Sequence, residues 1–286
     1  MTLLALILVL LAALIHASWN IFAKHSGGSA AFAWLFASLS CLIYLPVAAI
    51  VAILSKPYLG LYQLFFIAIS AILHTAYFLL LARGYRTGDL SLVYPLARTS
   101  GPILTVGFAV TFMGERPSTI ALLGAMAIAI GMFLLIGSPG KLLKKNQGHA
   151  VAYAFLTGAV IATYTVTDKY AVSSLAIPPV LLDYLANWGR ALLLTPYALM
   201  NRDGVRREWE THRRDVLAVA ALIPLSYILV LTALQFSLAS HVAPAREISI
   251  LFGTLLGACF LKEGQLQRRI ICGAIMILGL TALIVG

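Results

Sequence analysis

Apolar runs of roughly 20 residues recur along the whole chain, and short polar breaks separate them. Each run is long enough to cross a hydrocarbon layer as a helix, which takes about 20 apolar residues. The breaks predict helices near 2–23, 30–54, 61–82, 90–112, 118–137, 148–169, 178–200, 214–236, 240–261 and 266–285. Inside a bilayer no water satisfies the backbone, so spanning segments must be helices or a closed barrel. These runs are too long and too evenly apolar for barrel strands. The first run, Thr2 to Phe22, lacks a basic leader and is read as a retained helix rather than a signal peptide. The longest polar stretch is Asn201 to Asp215, which leaves no room for a soluble domain.

Composition agrees with the pattern. The 286 residues are 61% hydrophobic and 10% charged, and mean hydropathy is +0.96. Soluble domains carry about 25% charged residues. The fold class is therefore an all-α integral membrane protein with ten transmembrane helices. The net charge of +10 is not a nucleic-acid signature, because most basic residues sit in short loops between apolar runs. Odd-numbered loops carry Lys24; Arg83 and Arg86; Lys141, Lys144 and Lys145; Arg202, Arg206, Arg207, Arg213 and Arg214; and Lys262, Arg268 and Arg269. Even-numbered loops carry only Lys56, Arg116 and Lys169. The positive-inside rule then places the odd loops in the cytoplasm and both termini outside. Cys41, Cys259 and Cys272 all lie in apolar runs and read as small core residues, with no disulfide framework or metal spacing.

The second half of the chain repeats the first. Arg98 and Glu115 have the same spacing as Arg246 and Glu263, and the same shift of 148 positions lays Ala97 on Ala245 and Gly131 on Gly279. Trp19-Asn20-Ile21-Phe22-Ala23-Lys24 lies over Tyr164-Thr165-Val166-Thr167-Asp168-Lys169, and Tyr77 corresponds to Tyr227 once small loop insertions and deletions are allowed. Five helices per half is an odd number, so the second half enters from the opposite membrane face. That predicts inverted five-helix repeats, residues 1–137 and 148–286, joined by a basic linker over 138–147. Such repeats place a site at their interface near the midplane.

This ten-helix duplication resembles the drug/metabolite transporter superfamily, in particular its EamA-type permeases. The resemblance rests on Trp19-Asn20-x3-Lys24, on Gly114-Glu115 and Lys262-Glu263 after helices four and nine, and on glycine-rich helices five and ten. Lys262 departs from the pattern, where Gly would precede Glu263. The resemblance implies small metabolites, often exported, carried without ATP, in a bacterial inner membrane. No Gly-x4-Gly-Lys-Ser/Thr, His-Glu-x2-His or Gly-x-Ser-x-Gly motif occurs. Neither an enzyme nor a cofactor is expected.

Ionisable residues at membrane depth carry the functional expectation. One Arg at a helix centre costs roughly 2.5–3.5 kcal/mol on insertion scales, so it must face a cavity or a partner. Arg190 lies roughly 18 Å along helix seven. Asp183, Asn187 and Arg190 share one face, with Trp188 beside it. They form either a substrate-facing stripe or an internal Asp183–Arg190 pair. Arg98 and Arg246 occupy equivalent places, just after Pro95 and Pro244, and Glu247 follows Arg246. Helix one presents His16, Asn20 and Lys24 on one face. Tyr77, Tyr94 and Tyr227 extend the list of substrate contacts, and His74 and Gln235 are further cavity candidates. His16, Asp183 and Glu247 are the candidates for proton coupling. Lys24 and Lys169 read as snorkelling residues. Glu115 and Glu263 read as caps or gate contacts. The helix-packing glycines are Gly253-x3-Gly257, Gly124, Gly131, Gly273 and Gly279.

Three intramembrane arginines against few acids point to a secondary transporter for a small anionic or zwitterionic metabolite bearing a carboxylate, phosphate or phosphonate. An amino-acid or multidrug exporter of the same superfamily is the alternative, and a non-transporting membrane sensor the alternative of another class. Ten helices enclose a site without a partner chain, so a monomer suffices and a dimer is compatible.

Overall fold

The computed structural model describes residues 1–25, 29–87, 90–136, 148–253 and 266–286. Ten helices are labelled: α1 Leu3–His25, α2 Ala30–Ser55, α3 Leu61–Thr87, α4 Leu90–Phe112, α5 Thr119–Ile136, α6 Gly148–Ser173, α7 Pro179–Met200, α8 Arg202–Phe236, α9 Ala239–Arg246 and α10 Leu266–Val285. Local signals set their starts. The Ser29 hydroxyl accepts from the Phe32 amide at 3.0 Å, a conventional N-cap for α2. α7 starts at Pro179, where a missing N–H costs nothing. Among the described residues, five helices have the length and hydropathy to cross a membrane on that ground alone. Leu3, Ile53, Leu61, Leu123, Leu192 and Leu278 are among many large apolar side chains that face outward. A water-soluble surface would not tolerate such a belt, so the chain is a multi-pass membrane protein.

Two elements differ from the sequence reading. The polar stretch 201–215 is helical: α8 starts at Arg202 and bends at His212, whose φ of −122° leaves the helical region. This segment is rich in helix formers. Arg206 pairs with Glu210 one turn on at 2.8 Å, and Val205 packs against the Phe32 and Phe36 cluster. The single helix expected near 240–261 breaks instead. α9 ends at Arg246, the Glu247 amide turns back to the Pro244 carbonyl at 3.0 Å, and helix resumes over residues 248–253. Non-helical backbone at membrane depth is tolerated where it is buried in protein or lines a cavity. Gly257, Cys259, Lys262 and Glu263, and the side chains of Lys24 and Pro95, lie outside the described residues.

Packing follows the repeat. α1 packs on α8 as α6 packs on α3, and α2 on α8 as α7 on α3. α2 pairs with α7 and α5 with α10. Adding five to each helix number maps these pairs onto one another, so a pseudo-two-fold axis passes between α2 and α7 and between α5 and α10. The α5–α10 crossing repeats this in atomic detail. A Cβ on Gly279 would meet the Gly124 carbonyl at 2.6 Å and Ile128 at 2.8 Å. A Cβ on Gly131 would meet the counterparts 148 positions later, Cys272 at 3.0 Å and Met276 at 2.7 Å. The two backbones touch because glycine lies at the crossing. Between the halves, the largest core cluster gathers Val9, Ile67, Met132, Leu182, Leu231 and Leu251.

Candidate functional site at the repeat interface

α4 and the broken helix of the second half bring Arg98, Arg246 and Glu247 together. Arg98 is 3% exposed. One of its terminal nitrogens lies 3.1 Å from Glu247 Oε2, 3.2 Å from His16 Nε2 and 3.4 Å from Ser249 Oγ. A guanidinium only donates, so His16 Nε2 acts here as an acceptor. Arg246 Nε lies 3.8 Å from the other Glu247 oxygen. Two arginines in equivalent repeat positions thus share one carboxylate. The counterpart of Glu247 in the first half is Thr99, so that position supplies no matching acid. Arg246 is also short of donors' partners: its Nε and one terminal nitrogen are buried and make no hydrogen bond. Tyr94 sits one turn before Arg98 on α4.

A second cluster forms where α3 meets α6 and α8. The Tyr227 hydroxyl donates to Asp168 Oδ2 at 2.6 Å, and His74 Nε2 approaches the same oxygen at 3.1 Å. The His74 ring stacks on Tyr164 with centroids 4.2 Å apart, and Tyr77 meets Tyr164 edge-on at 6.1 Å. Asp168 Oδ1 is buried without a hydrogen-bond partner.

On α7 the predicted stripe forms an internal relay. Arg190 Nη1 donates to Asn187 Oδ1 at 3.0 Å, and Asn187 Nδ2 donates to Asp183 Oδ2 at 2.9 Å. Arg190 also faces the Phe36 ring at 5.7 Å, a cation–π contact. Trp188 does not join this face. It is 44% exposed, on the outer apolar stripe with Leu192 and Leu199, which corrects its expected role as a cavity residue. A one-residue step on a helix turns a side chain by about 100°, enough to move it from core to lipid. Asn20 spends its amide on the His16 carbonyl one turn below, at 2.8 Å. Gln235 is exposed.

Sequence reasoning passed over Asp168. It lies inside an apolar run beside Lys169, and the lysine drew the eye as the repeat partner of Lys24. The expectation of few acids against three arginines is corrected accordingly: Asp168, Asp183 and Glu247 are all buried. The positive surplus is local to the Arg98–Glu247–Arg246 group. Lys169 does not snorkel. Its ammonium donates to the Leu234 and Ser237 carbonyls at 2.6 and 2.8 Å, capping the end of α8. Glu115 caps the next helix. Its carboxylate accepts from the Ala239 amide at 2.7 Å, the Ser240 amide at 3.0 Å and the Ser240 hydroxyl at 2.7 Å. The loop after α4 therefore clamps the start of α9 across the repeat boundary.

Comparison with known proteins places this geometry. A solved crystal structure superposes with a TM-score of 0.77 over 98% of both chains at 13% identity, a likeness of fold. An uncharacterized transporter of Archaeoglobus fulgidus is 26% identical over 194 residues, or 68% of this chain. The match spans 65% of that relative's length. The model of the EamA-like transporter family matches residues 3–137 and again residues 149–286. With ten helices in this packing and both halves matched, the chain belongs to the EamA-like transporter family.

Proposed function

We propose that this membrane transporter is a secondary carrier of a small anionic or zwitterionic metabolite, held at the repeat interface by Arg246 and Arg98. The observation that carries the reading is the buried Arg246 guanidinium, whose Nε and one terminal nitrogen lack hydrogen bonds while its one carboxylate neighbour is shared with Arg98. A buried charge left underpaired is costly. A carboxylate, phosphate or phosphonate accepts from two guanidinium nitrogens at once and relieves that cost. Arg98, Arg190 and Arg246 are all buried. Reaching them from water requires the helices around them to move apart. The Glu115 clamp on α9 closes one end, and rocking about the α5–α10 crossing exposes the arginines to each face in turn. The loop charges favour an orientation with both termini outside and the odd loops in the cytoplasm of a bacterial inner membrane.

The test is a melting panel on the purified protein with methylphosphonate, phosphate esters, carboxylates, amino acids and a lipophilic cation. A bound solute stabilises the folded state by mass action. Shifts with the anions, lost in Arg246→Gln and reduced in Arg98→Gln, support the reading. Shifts confined to lipophilic cations, and indifferent to both variants, overturn it.

A further inference from the structure

The Asp168 cluster is not needed to hold an anion, and its chemistry is of another kind. We propose that Asp168 and His74 form an exchangeable proton-binding site, which serves as the coupling-ion site of the transport cycle. The coupling role rests on the secondary-carrier reading above; the proton site itself does not.

The placement argues for it first. His74 belongs to α3 of the first half and Asp168 to α6 of the second. Their 3.1 Å contact therefore joins the two repeats. Side-chain chemistry argues next. Oδ2 of Asp168 takes both the Tyr227 hydroxyl and the His74 ring nitrogen, while the buried Oδ1 has no hydrogen-bond partner. A carboxylate with one free buried oxygen accepts a proton without giving up a bond. Rotation of the acid carries the proton from Oδ1 to Oδ2, from which it passes to imidazole Nε2 at hydrogen-bond distance while the ring releases its other proton from Nδ1. Nothing is oxidised or reduced, and one proton enters from water on one face and leaves on the other.

The alternatives are otherwise engaged. Glu247 makes ion pairs with two arginines, Arg98 and Arg246, although neither of its oxygens makes a hydrogen bond. His16 Nε2 is occupied by the same arginine. Asp183 is tied to Asn187. The groups facing the His74–Asp168 pair are Tyr164 on its own helix, Tyr77 on α3, Tyr227 on α8, Asp183 and Arg190 on α7, and Arg246 on α9. Lys169, the next residue, is committed to the α8 carbonyls. The charge of Arg246 is felt at His74 as well as at Glu247. An anion bound there offsets the positive charge that repels a proton on the pair, so solute and proton bind more readily together. That is the linkage a symporter needs.

The experiment is infrared difference spectroscopy on the full chain in lipid nanodiscs, with no transported solute added and pH swept reversibly. A carboxylic-acid C=O band that comes and goes with pH, is lost in Asp168→Asn and is shifted in His74→Gln establishes the site. The absence of any Asp168-dependent band overturns the proposal. Tyr227→Phe removes one hydrogen bond and keeps the pair, so it supplies a readout if Asp168→Asn fails to fold: the band must move. In liposomes, an imposed pH gradient should drive methylphosphonate uptake or efflux in the wild type but not in Asp168→Asn. Methylphosphonate flux indifferent to the gradient overturns the coupling role. A titrating Asp168 band in a protein that binds no anion in the melting panel overturns the anion reading alone, and the proton site stands.

Discussion

Removing the Glu115 carboxylate should loosen α9 by an amount that the structure sets. The side chain is buried, and it holds two backbone amides and one hydroxyl at the first turn of an eight-residue helix. No side chain on the helix's own N-cap, Leu238, can replace it. A buried N–H left without an acceptor costs about 1–3 kcal/mol. Two of them, with some relief from entering water, put Glu115→Ala at about 3 kcal/mol. Glu115→Gln keeps one carbonyl oxygen, so one amide regains a partner, and the interaction of the charge with the helix terminus is lost. It should cost about half as much, or roughly 1.5 kcal/mol. Unfolding in mixed micelles followed by circular dichroism measures both. Hydrogen exchange at the Ala239 and Ser240 amides shows whether the loss is local. If Glu115→Gln unfolds within about 0.5 kcal/mol of wild type, or if those two amides stay protected in Glu115→Ala, the clamp is not what holds α9.

Two further substitutions test the fold and the orientation of α7. Gly124→Leu places a Cβ about where the Gly279 carbonyl lies, at 2.5 Å, and should cost about 3 kcal/mol or more in the same unfolding assay; retention of wild-type stability would mean that α5 and α10 do not cross there. Trp188→Leu should leave every ligand-induced melting shift unchanged, because the ring faces outward with Leu192 and Leu199; loss of a shift would return Trp188 to the cavity.

The ten spans, the duplication and the three buried arginines were legible because each leaves a mark in a single run of sequence. A charge in an apolar stretch is visible, and so is an Arg–Glu spacing that recurs 148 positions on. What pairs with what was not legible. His74 and Asp168 are 94 positions apart, and no local spacing predicts that their helices cross. Asp168 was in view but was read with the motif around it rather than as a buried acid. Trp188 was misplaced because residues adjacent on a helix look alike in sequence but face different media. The break at Glu247 was hidden because the run continues to be apolar on both sides of it. Lys169 and Glu115 found helix ends to cap instead of water, a choice fixed by where α8 stops and α9 starts.

The Glu247–Thr99 mismatch has a consequence for energetics. In a perfect duplicate, the form open to one side and the form open to the other would be images of each other and equally populated. Every position at which the halves disagree lifts that degeneracy. Glu247 against Thr99, and Asp168 against Ala23, are two such polar disagreements, and both acids are buried. A bias of only about 1.4 kcal/mol changes the ratio of the two forms tenfold. In the proposed cycle, the resting side is therefore set by positions at which the halves differ.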